Sequence, residues 1–296
     1  MERKIIDIEL AKKLLPRRAA DGNKGSFGKA LLLVGSQKYR GAAHLATEAA
    51  LRGGAGYVTL ASEDAVITSV LSVYPETLFI KTPPFSHLSA IDIKSICDSD
   101  AKNSATLIGC GASVSPALAE LIIALLESGN TPLVIDADAI NALSEDKDRA
   151  LAAIAASKRE VILTPHPLEF ARISGLTVEE ISSDREAAAN ELARRAKCTV
   201  ILKGNGTVVT DGNTTLINSS GSCALAKAGS GDTLAGLLVS LLSSGVAPID
   251  AAALAAYIHG AAGDALAERL STFGVTPSDL PRTMAEIIAT VERQKF

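Results

Sequence analysis

The chain has 296 residues, of which 47% are apolar and only 3% aromatic, and its formal net charge at pH 7 is -4. This acidic balance argues against a general surface for nucleic acid or for an anionic membrane. A core built mostly of Ala, Leu, Ile and Val suits helices packed on a parallel sheet, and the length suits one large α/β domain.

The N-terminal segment, residues 1–29, mixes charged with apolar residues and has no continuous apolar stretch. It is therefore not expected to be a signal peptide. A solvent-exposed N-terminal helix is the interpretation favoured for the one basic cluster of the chain, which consists of Lys12, Lys13, Arg17 and Arg18.

Two features indicate a soluble protein of a reducing cytoplasm. The longest small-apolar region, residues 246–266, contains Asp250, His259 and Asp264, which a membrane-spanning helix would avoid. The cysteines form no C-x-x-C pair, so neither a zinc site nor a disulfide framework is indicated. We expect all four to be buried thiols; they are Cys97, Cys110, Cys198 and Cys223.

Strands and helices alternate from the first loop signal, at residues 21–28, to the C-terminus. The predicted strands cover residues 30–34, 57–60, 78–81, 105–109, 132–136, 160–164 and 199–203, with a hairpin-like pair at 207–210 and 214–217. The predicted helices cover residues 41–52, 63–72, 90–98, 116–128 and 249–270, with a last helix after Ser278. This alternation predicts a mostly parallel sheet with helices on both faces, in one domain over residues 1–296.

The sharpest change of composition falls within residues 218–241, where small residues give way to leucines spaced three and four apart. A glycine-rich turn is therefore predicted to open a helix. The free N–H groups of a first helical turn attract an anion, and Asp232 lies in that turn. This combination suggests a base beside an anion hole. Taken alone, capping of the helix by Ser230 or Asp232 explains the same residues more economically.

Further unusual residues fall at the predicted carboxyl ends of strands, where ligands of open parallel sheets bind. They are Gly35-Ser36, Gly109-Cys-Gly111, Asp136-Ala-Asp138, Thr164-Pro-His-Pro-Leu-Glu169 and Lys203-Gly-Asn-Gly-Thr207. Each motif alone also fits a structural role: a tight turn, a helix cap, a packed histidine or a solvated lysine.

In sequence order, however, these motifs resemble the ADP/ATP-dependent NAD(P)H-hydrate dehydratases, from about Gly22 to the C-terminus. The pair Asp136-Ala-Asp-Ala-Ile-Asn141 and Thr164-Pro-His-Pro-Leu-Glu169 separates that family from ordinary sugar and vitamin kinases. The matching segments are residues 23–28, 34–36, 41–43, 53–56, 75–76, 136–141, 163–170, 202–204, 226–236 and 259–260.

The chain departs from the family pattern at two places. Gly109-Cys-Gly-Ala-Ser113 stands where members often have Gly-Pro-Gly-Leu-Gly, in one wall of the expected substrate pocket. Lys227-Ala228 stands where many have Thr-Gly, which is expected to add a positive charge near the phosphates.

The resemblance implies a ribokinase-like three-layer αβα sandwich with a mostly parallel central sheet. It implies an enzyme that phosphorylates the C6 hydroxyl of the S form of NADHX or NADPHX and then eliminates phosphate, which restores NADH or NADPH. ADP would yield AMP and ATP would yield ADP, with Mg²⁺ as cofactor and ADP favoured as the donor. The resemblance also implies a homotetramer, without the epimerase domain of bifunctional repair enzymes.

Carried over onto matching positions, Asp232 would be the catalytic base, and the amides of Gly229, Ser230 and Gly231 would hold the transferred phosphoryl group. The hydrate would contact Asp232 and the residues Gly41, Ala42, Gly111 and His166. The nucleotide would contact Gly231 and the segment made of Lys203, Gly204, Asn205, Gly206 and Thr207. Asn141 and Glu169 would have supporting or Mg²⁺-linked roles, and no residue is assigned as a direct metal ligand.

Two other functions keep the same glycine-rich turn. A thiazole-type or pyrimidine-type vitamin kinase would stop at the phosphate ester. A nucleotide-binding regulator would bind without turnover.

Overall fold

A single mostly parallel sheet forms the middle layer of the fold. The computed structural model describes residues 3–295, in which the strands are β1 (Arg3–Ile6), β2 (Lys29–Leu33), β3 (Tyr57–Ser62), β4 (Leu78–Lys81), β5 (Ala105–Ile108), β6 (Leu133–Ile135), β7 (Val161–Leu163), β8 (Thr199–Leu202), β9 (Val208–Thr210) and β10 (Thr215–Asn218). They pair in the order β1-β10-β9-β8-β7-β6-β5-β2-β3-β4. Only β9, among these strands, runs antiparallel to its neighbours β8 and β10. The predicted parallel sheet with a hairpin-like pair is confirmed.

Helices cover both faces of this sheet. They are α1 (Ile8–Leu14), α2 (Arg40–Arg52), α3 (Asp64–Leu71), α4 (Ala90–Asp100), α5 (Pro116–Ser128), α6 (Asp138–Ser144), α7 (Lys147–Ala156), α8 (Pro167–Ser174), α9 (Val178–Ser183), α10 (Arg185–Ala196), α11 (Ser230–Ser243), α12 (Pro248–Gly274) and α13 (Leu280–Lys295). The first three and the last three pack on one face, and α4 to α10 pack on the other. The predicted three-layer αβα arrangement is therefore confirmed.

Alternation along the central strands builds two separate apolar cores. In β2, Ala30 and Leu32 belong to the core under α2 and α11, whereas Leu31 and Leu33 belong to the core under α5. All four side chains are fully buried. A strand with helices on both faces has no polar side, which explains why it appears in the sequence as an unbroken apolar run.

The strand order reverses at β2, which has β3 on one side and β5 on the other. The loops that follow β2 and β5 therefore leave in opposite directions and open a crevice at the carboxyl edge of the sheet. The amide of Gly35 donates to the carbonyl oxygen of Cys110 at 2.8 Å, so the two loops are tied together where the crevice begins.

The N-terminal part differs from its prediction. Helix α1 ends at Leu14, because Leu15 precedes Pro16 and has extended backbone angles. Lys12 and Lys13 thus lie on the helix, but Arg17 and Arg18 do not, and the prediction that one helix carries all four is wrong. Strand β1 was not predicted; it pairs with β10, more than 200 residues away.

The cysteines also differ from expectation. Cys110 and Cys198 are buried, Cys97 is partly buried, and Cys223 is exposed. The prediction of four buried thiols is therefore wrong for Cys223, which lies in a 3-10 turn before α11. Among the described helices, none combines the length and the apolarity needed to cross a membrane.

Candidate active site

A pocket of about 860 Å³ opens at the carboxyl edge of the sheet. Its wall consists of the loops that follow β6, β7 and β8, the segment that leads into α11, and one face of α12. Several strand-end motifs that were separate in the sequence thus meet in one cavity. The cavity is in the size range of small-molecule sites.

Helix α11 points its N-terminus into this pocket, and its middle packs tightly against α2. Gly236 lies against α2, where a Cβ atom would come within 2.3 Å of the carbonyl oxygen of Ala46. Gly229, the residue before the helix, has a φ of +103°, which side chains other than glycine rarely adopt. The glycine positions therefore fix both the approach of the helix and the turn that opens it.

The first turn of α11 leaves several amides for a ligand. Within residues 3–295, no protein atom accepts a hydrogen bond from the amides of Gly229, Gly231 or Asp232. The amide of Ser230, which the sequence placed in the anion hole, instead donates to the carbonyl oxygen of Lys227 at 3.2 Å. The amides left to hold an anion are therefore those of Gly229, Gly231 and Asp232, at the positive end of the helix dipole.

The carboxyl group of Asp232 lies among other titratable groups. One oxygen of Asp232, one oxygen of Asp136 and the sulfur of Cys110 all lie within 4.8 Å of one another. Burial, and then the negative charge of Asp136, raise the pKa of Asp232 to about 7. A carboxyl group with this pKa exchanges protons readily at neutral pH, as a general base must.

Asp136 is held by three donors. It is buried, and its Oδ1 accepts hydrogen bonds from Nζ of Lys203 at 2.8 Å and from the hydroxyl of Thr164 at 2.6 Å. The thiol of Cys110 donates to its Oδ2 at 3.5 Å. The carboxylate therefore orients Lys203, which lines the pocket.

Lys203 also approaches Glu169, with its Nζ 3.9 Å from Oε2. Burial alone would lower the pKa of Lys203, but the charges of Asp136 and Glu169 outweigh it and raise that pKa. Burial raises the pKa of Glu169 to about 7. The protonated ammonium group of Lys203 therefore lies near the carboxyl groups of Asp136, Glu169 and Asp232.

His166 and Glu169 form a capping box at the start of α8. Nδ1 of His166 accepts from the amides of Leu168 and Glu169 at 3.1 and 3.2 Å, so this nitrogen carries no proton. The carboxylate of Glu169 accepts from the amide of His166 at 2.8 Å. His166 therefore has the structural role that the sequence also allowed, because it caps helix α8. Burial lowers the pKa of His166. The ring nevertheless lines the pocket.

The structure brings most of the predicted site residues together. The pocket wall includes His166, Glu169, Lys203, Gly204, Asn205, Thr207, Gly229, Ser230, Gly231 and Asp232. It does not include Gly41, Ala42, Gly111, Asn141 or Gly206.

The remaining predicted residues lie close by. Gly111 packs against the start of α2, where a Cβ atom on it would come within 2.8 Å of the Cβ of Ala42. Asn141 lies on α6, and its Oδ1 accepts from Arg172 at 2.6 Å. The ammonium of Lys227 donates to the carbonyl oxygens of Phe273, at 2.7 Å, and Val275. Lys227 itself lines the pocket, so these two contacts hold the expected extra charge at its edge, beside the end of α12.

Sequence reasoning assigned no role to His259 or Cys110. Nε2 of His259 lies 3.0 Å from the carbonyl oxygen of Ser230, so this nitrogen carries the proton. Burial lowers the pKa of His259 to about 4, which keeps the ring neutral. A polar residue within an Ala-rich helix was the available signal for His259, and a thiol at a strand end was the signal for Cys110.

A three-layer αβα sandwich with an acid beside a glycine-rich helix start defines a protein of the ribokinase-like class. The structure is similar to that of an ADP/ATP-dependent NAD(P)H-hydrate dehydratase from Bacillus subtilis co-crystallised with ATP and Mg²⁺, with a TM-score of 0.83 and 28% identity over 99% of both chains. The family model for NAD(P)H-hydrate dehydratase matches residues 30–286. The chain belongs to this family, as predicted.

Curated relatives agree with that assignment. An ADP-dependent (S)-NAD(P)H-hydrate dehydratase from Neisseria meningitidis is 37% identical over 85% of this chain and 81% of its own length. A bifunctional NAD(P)H-hydrate repair enzyme from Moorella thermoacetica is 36% identical over 99% of this chain. The chain spans about half of that longer relative, 55% of its length. The names of these relatives support the predicted repair of nicotinamide hydrates by a dehydratase.

Proposed function

We propose that this chain converts the S form of NADHX or NADPHX back to NADH or NADPH at the expense of ADP or ATP, with ADP as the preferred donor. The observation that carries the proposal is the first turn of α11, where the carboxyl group of Asp232 lies beside the unpaired amides of Gly229 and Gly231. A base and an anion hole in one turn are what transfer of a phosphoryl group to a hydroxyl needs.

In the first step, ionised Asp232 accepts the proton of the C6 hydroxyl of the hydrate. The hydroxyl oxygen forms a bond to the terminal phosphorus of the nucleotide, and the bond from that phosphorus to AMP or ADP breaks. The unpaired amides hold the transferred group and stabilise its negative charge, which is usually the largest contribution to such a reaction.

In the second step, phosphate leaves C6 as the ring nitrogen donates its electron pair, and loss of a proton from C5 restores the double bond of the reduced nicotinamide. Phosphate is a far better leaving group than hydroxide, so the phosphorylation makes the dehydration possible. The half-ionised state of Asp232 near pH 7 allows the base to release its proton between turnovers.

Lys203 and the loop that follows it are assigned to the nucleotide. The ammonium of Lys203 is oriented by Asp136 at 2.8 Å and offers a positive charge to the phosphates. Gly204, Asn205 and Thr207 continue the same wall of the pocket.

The pocket also fits a Mg²⁺ ion carried by the nucleotide. Mg²⁺ takes oxygen ligands, keeps several waters, and is commonly held by phosphates with one or two carboxylates. Glu169 would offer such a carboxylate near Lys203, where its Oε2 also accepts from the amide of His166, whereas Asp136 accepts from three donors. When bound, the ion would neutralise phosphate charge. Asn141 keeps only a supporting role in the proposal.

The hydrate is assigned to the crevice between the pocket and the start of α2, with His166, Gly41, Ala42 and Gly111 as its contacts. The open space at Gly41 supports this assignment, because a Cβ atom there would meet no heavy atom within 4 Å and the helix start is therefore accessible to the pyrophosphate of the substrate. We further propose that the chain acts as a homotetramer in the cytoplasm, which light scattering and cell fractionation would test.

Product analysis tests the proposed reaction against a vitamin kinase. The proposal predicts equal amounts of phosphate, reduced nicotinamide and AMP when NADHX and ADP are supplied. A stable phosphate ester that accumulates without reduced nicotinamide would contradict it.

A further inference from the structure

One arginine behind the nucleotide loop has no role in the function proposed above. Arg185 is the first residue of α10, and its guanidinium donates to three backbone carbonyl oxygens of the chain that follows β8. These are the carbonyls of Asn205 at 2.8 Å, Leu202 at 3.0 Å and Lys203 at 3.1 Å. Arg185 is not part of the pocket wall, so it acts on the loop from the far side.

These contacts determine which backbone groups the loop offers to a ligand. The carbonyl of Gly204 is used as well, because it accepts from the hydroxyl of Thr207 at 2.9 Å. Within residues 3–295, no protein atom accepts a hydrogen bond from the amides of Gly204, Asn205 or Gly206. The φ angles of Gly204 and Gly206 are +146° and +64°, which only glycine adopts readily. Three amides of the loop are therefore left for a ligand, whereas the carbonyls of Gly204 and Asn205 are already used.

The charge of Arg185 reinforces this polarity. Within the described residues, no ion pair joins its guanidinium to a carboxylate, and its buried Nε has no hydrogen-bond partner. Burial lowers its pKa, but a guanidinium remains charged in proteins. An uncompensated positive charge therefore lies directly behind the free amides, where it strengthens their attraction for an anion.

We propose that Arg185 is a positioning residue that shapes the loop from Gly204 to Gly206 into a backbone site for the phosphates of the nucleotide. This inference rests on the proposed function, because that function assigns the loop to ADP or ATP. It adds that the phosphates, and not the base or ribose, are the part held by these amides.

Two substitutions separate the geometry of Arg185 from its charge. Arg185→Lys keeps the charge but cannot reach three carbonyls with a planar fork, and Arg185→Gln loses both the charge and most of the fork. Arg194→Lys is the matched control, because Arg194 lies on the same helix and its Nε donates to the carbonyl of Gly212 at 2.9 Å, in a turn outside the pocket.

Calorimetric titration of ADP and of adenosine measures the effect. We expect both Arg185 variants to bind ADP about tenfold more weakly than the wild type, since charge-assisted hydrogen bonds organise the site. Affinity for adenosine, the KM for NADHX, and all properties of Arg194→Lys should change less than about twofold. Unchanged ADP affinity in Arg185→Lys and Arg185→Gln would overturn the inference, and so would an equal loss for adenosine.

Amide hydrogen exchange on the wild-type protein gives a test that needs no variant. ADP should protect the amides of residues 204–206 and adenosine should not, so protection by adenosine alone or by neither ligand would overturn the inference. Failure of the proposed function is a separate result. Arg185-dependent ADP binding without turnover of NADHX would leave the inference intact and contradict the function. Full turnover of NADHX with unchanged ADP affinity in both Arg185 variants would support the function and overturn the inference.

Discussion

Nζ of Lys203 lies 2.8 Å from Oδ1 of Asp136, although the two residues are 67 positions apart and follow different strands, β8 and β6. The contact places one cation where the carboxyl groups of Asp136, Glu169 and Asp232 converge. Burial and the charge of Asp136 raise the pKa values of Glu169 and Asp232, and the positive charge of Lys203 partly offsets this rise. The pair therefore keeps the base ionisable near neutral pH.

Substitution of Lys203 by methionine should remove the positive charge that offsets the raised pKa values of Glu169 and Asp232. We expect Lys203→Met to lower turnover and to weaken ADP binding about tenfold or more, because a buried carboxylate is left without its partner and the phosphates lose a positive charge. Lys94→Met is the control, since Lys94 forms an exposed ion pair with Asp98 at 2.9 Å. Steady-state kinetics with NADHX and titration with ADP provide the measurement. Equal behaviour of the two variants would contradict the role of Lys203.

The raised pKa of Asp232 predicts how stability depends on pH. Its pKa is about 7 in the fold but about 4 in an unfolded chain, so between these values the folded state binds more protons. Stability should therefore fall as pH rises from about 4 to about 7, and the effect should be complete above that range. Melting curves of the free protein from pH 5 to pH 8 should show this fall, and Asp232→Asn should reduce it. Parallel curves for the two proteins would argue against a buried, protonatable Asp232.

The two glycines that flank Ser230 should respond differently to alanine. A Cβ atom on Gly231 would lie 3.2 Å from Nζ of Lys203 and 3.9 Å from Oδ2 of Asp136. Gly231→Ala should therefore reduce turnover about tenfold through misplacement of the reacting groups, with little change in melting temperature.

In contrast, Gly229 has a φ of +103° and a Cβ atom on it would lie 2.6 Å from Leu45. Gly229→Ala should destabilise the fold by about 1–3 kcal/mol. Thermal melts and kinetics on both variants check the contrast, and a stable, inactive Gly229→Ala would contradict it.

The hydrogen bond from His259 to the carbonyl oxygen of Ser230 predicts a positioning role for this histidine. His259→Leu should lower turnover about tenfold to a hundredfold, since the first turn of α11 loses a fixed contact. His259→Gln can still donate a hydrogen bond and should recover most of the activity. The pH profile between 6 and 8 should be the same in wild type and His259→Gln, because the pKa of His259 is about 4. A profile altered by His259→Gln would indicate proton transfer by His259 instead.

The parts of the site that depend on local sequence could be predicted. Glycines that precede an apolar helical pattern predict the turn from Gly229 to Asp232. The alternation of strands and helices predicts that the other motifs lie at strand ends. The end of α1 could also be predicted, because a residue before proline disfavours helical backbone angles. Pro16 therefore already argued against placing Arg17 and Arg18 on that helix.

The parts that depend on long-range packing could not be predicted from the residues. The meeting of Cys110, Asp136 and Asp232 requires the order of β5 and β6 in the sheet and the close approach of α11 to α2 through Gly236. Strand β1 exists only because its four residues pair with β10. The use of the Ser230 amide by Lys227 likewise depends on the exact path of the turn, which composition does not specify.

Absorbance in the reduced-nicotinamide band, recorded with purified protein, Mg²⁺ and NADHX, tests the central claim most directly. ADP and ATP are added in separate reactions, and Asp232→Asn is run beside the wild type with its nucleotide affinity measured. The account predicts a rise that requires nucleotide, is faster with ADP, and falls about a hundredfold or more in Asp232→Asn while nucleotide binding persists. Absence of any rise with either nucleotide, in a wild-type protein that binds both, would contradict it.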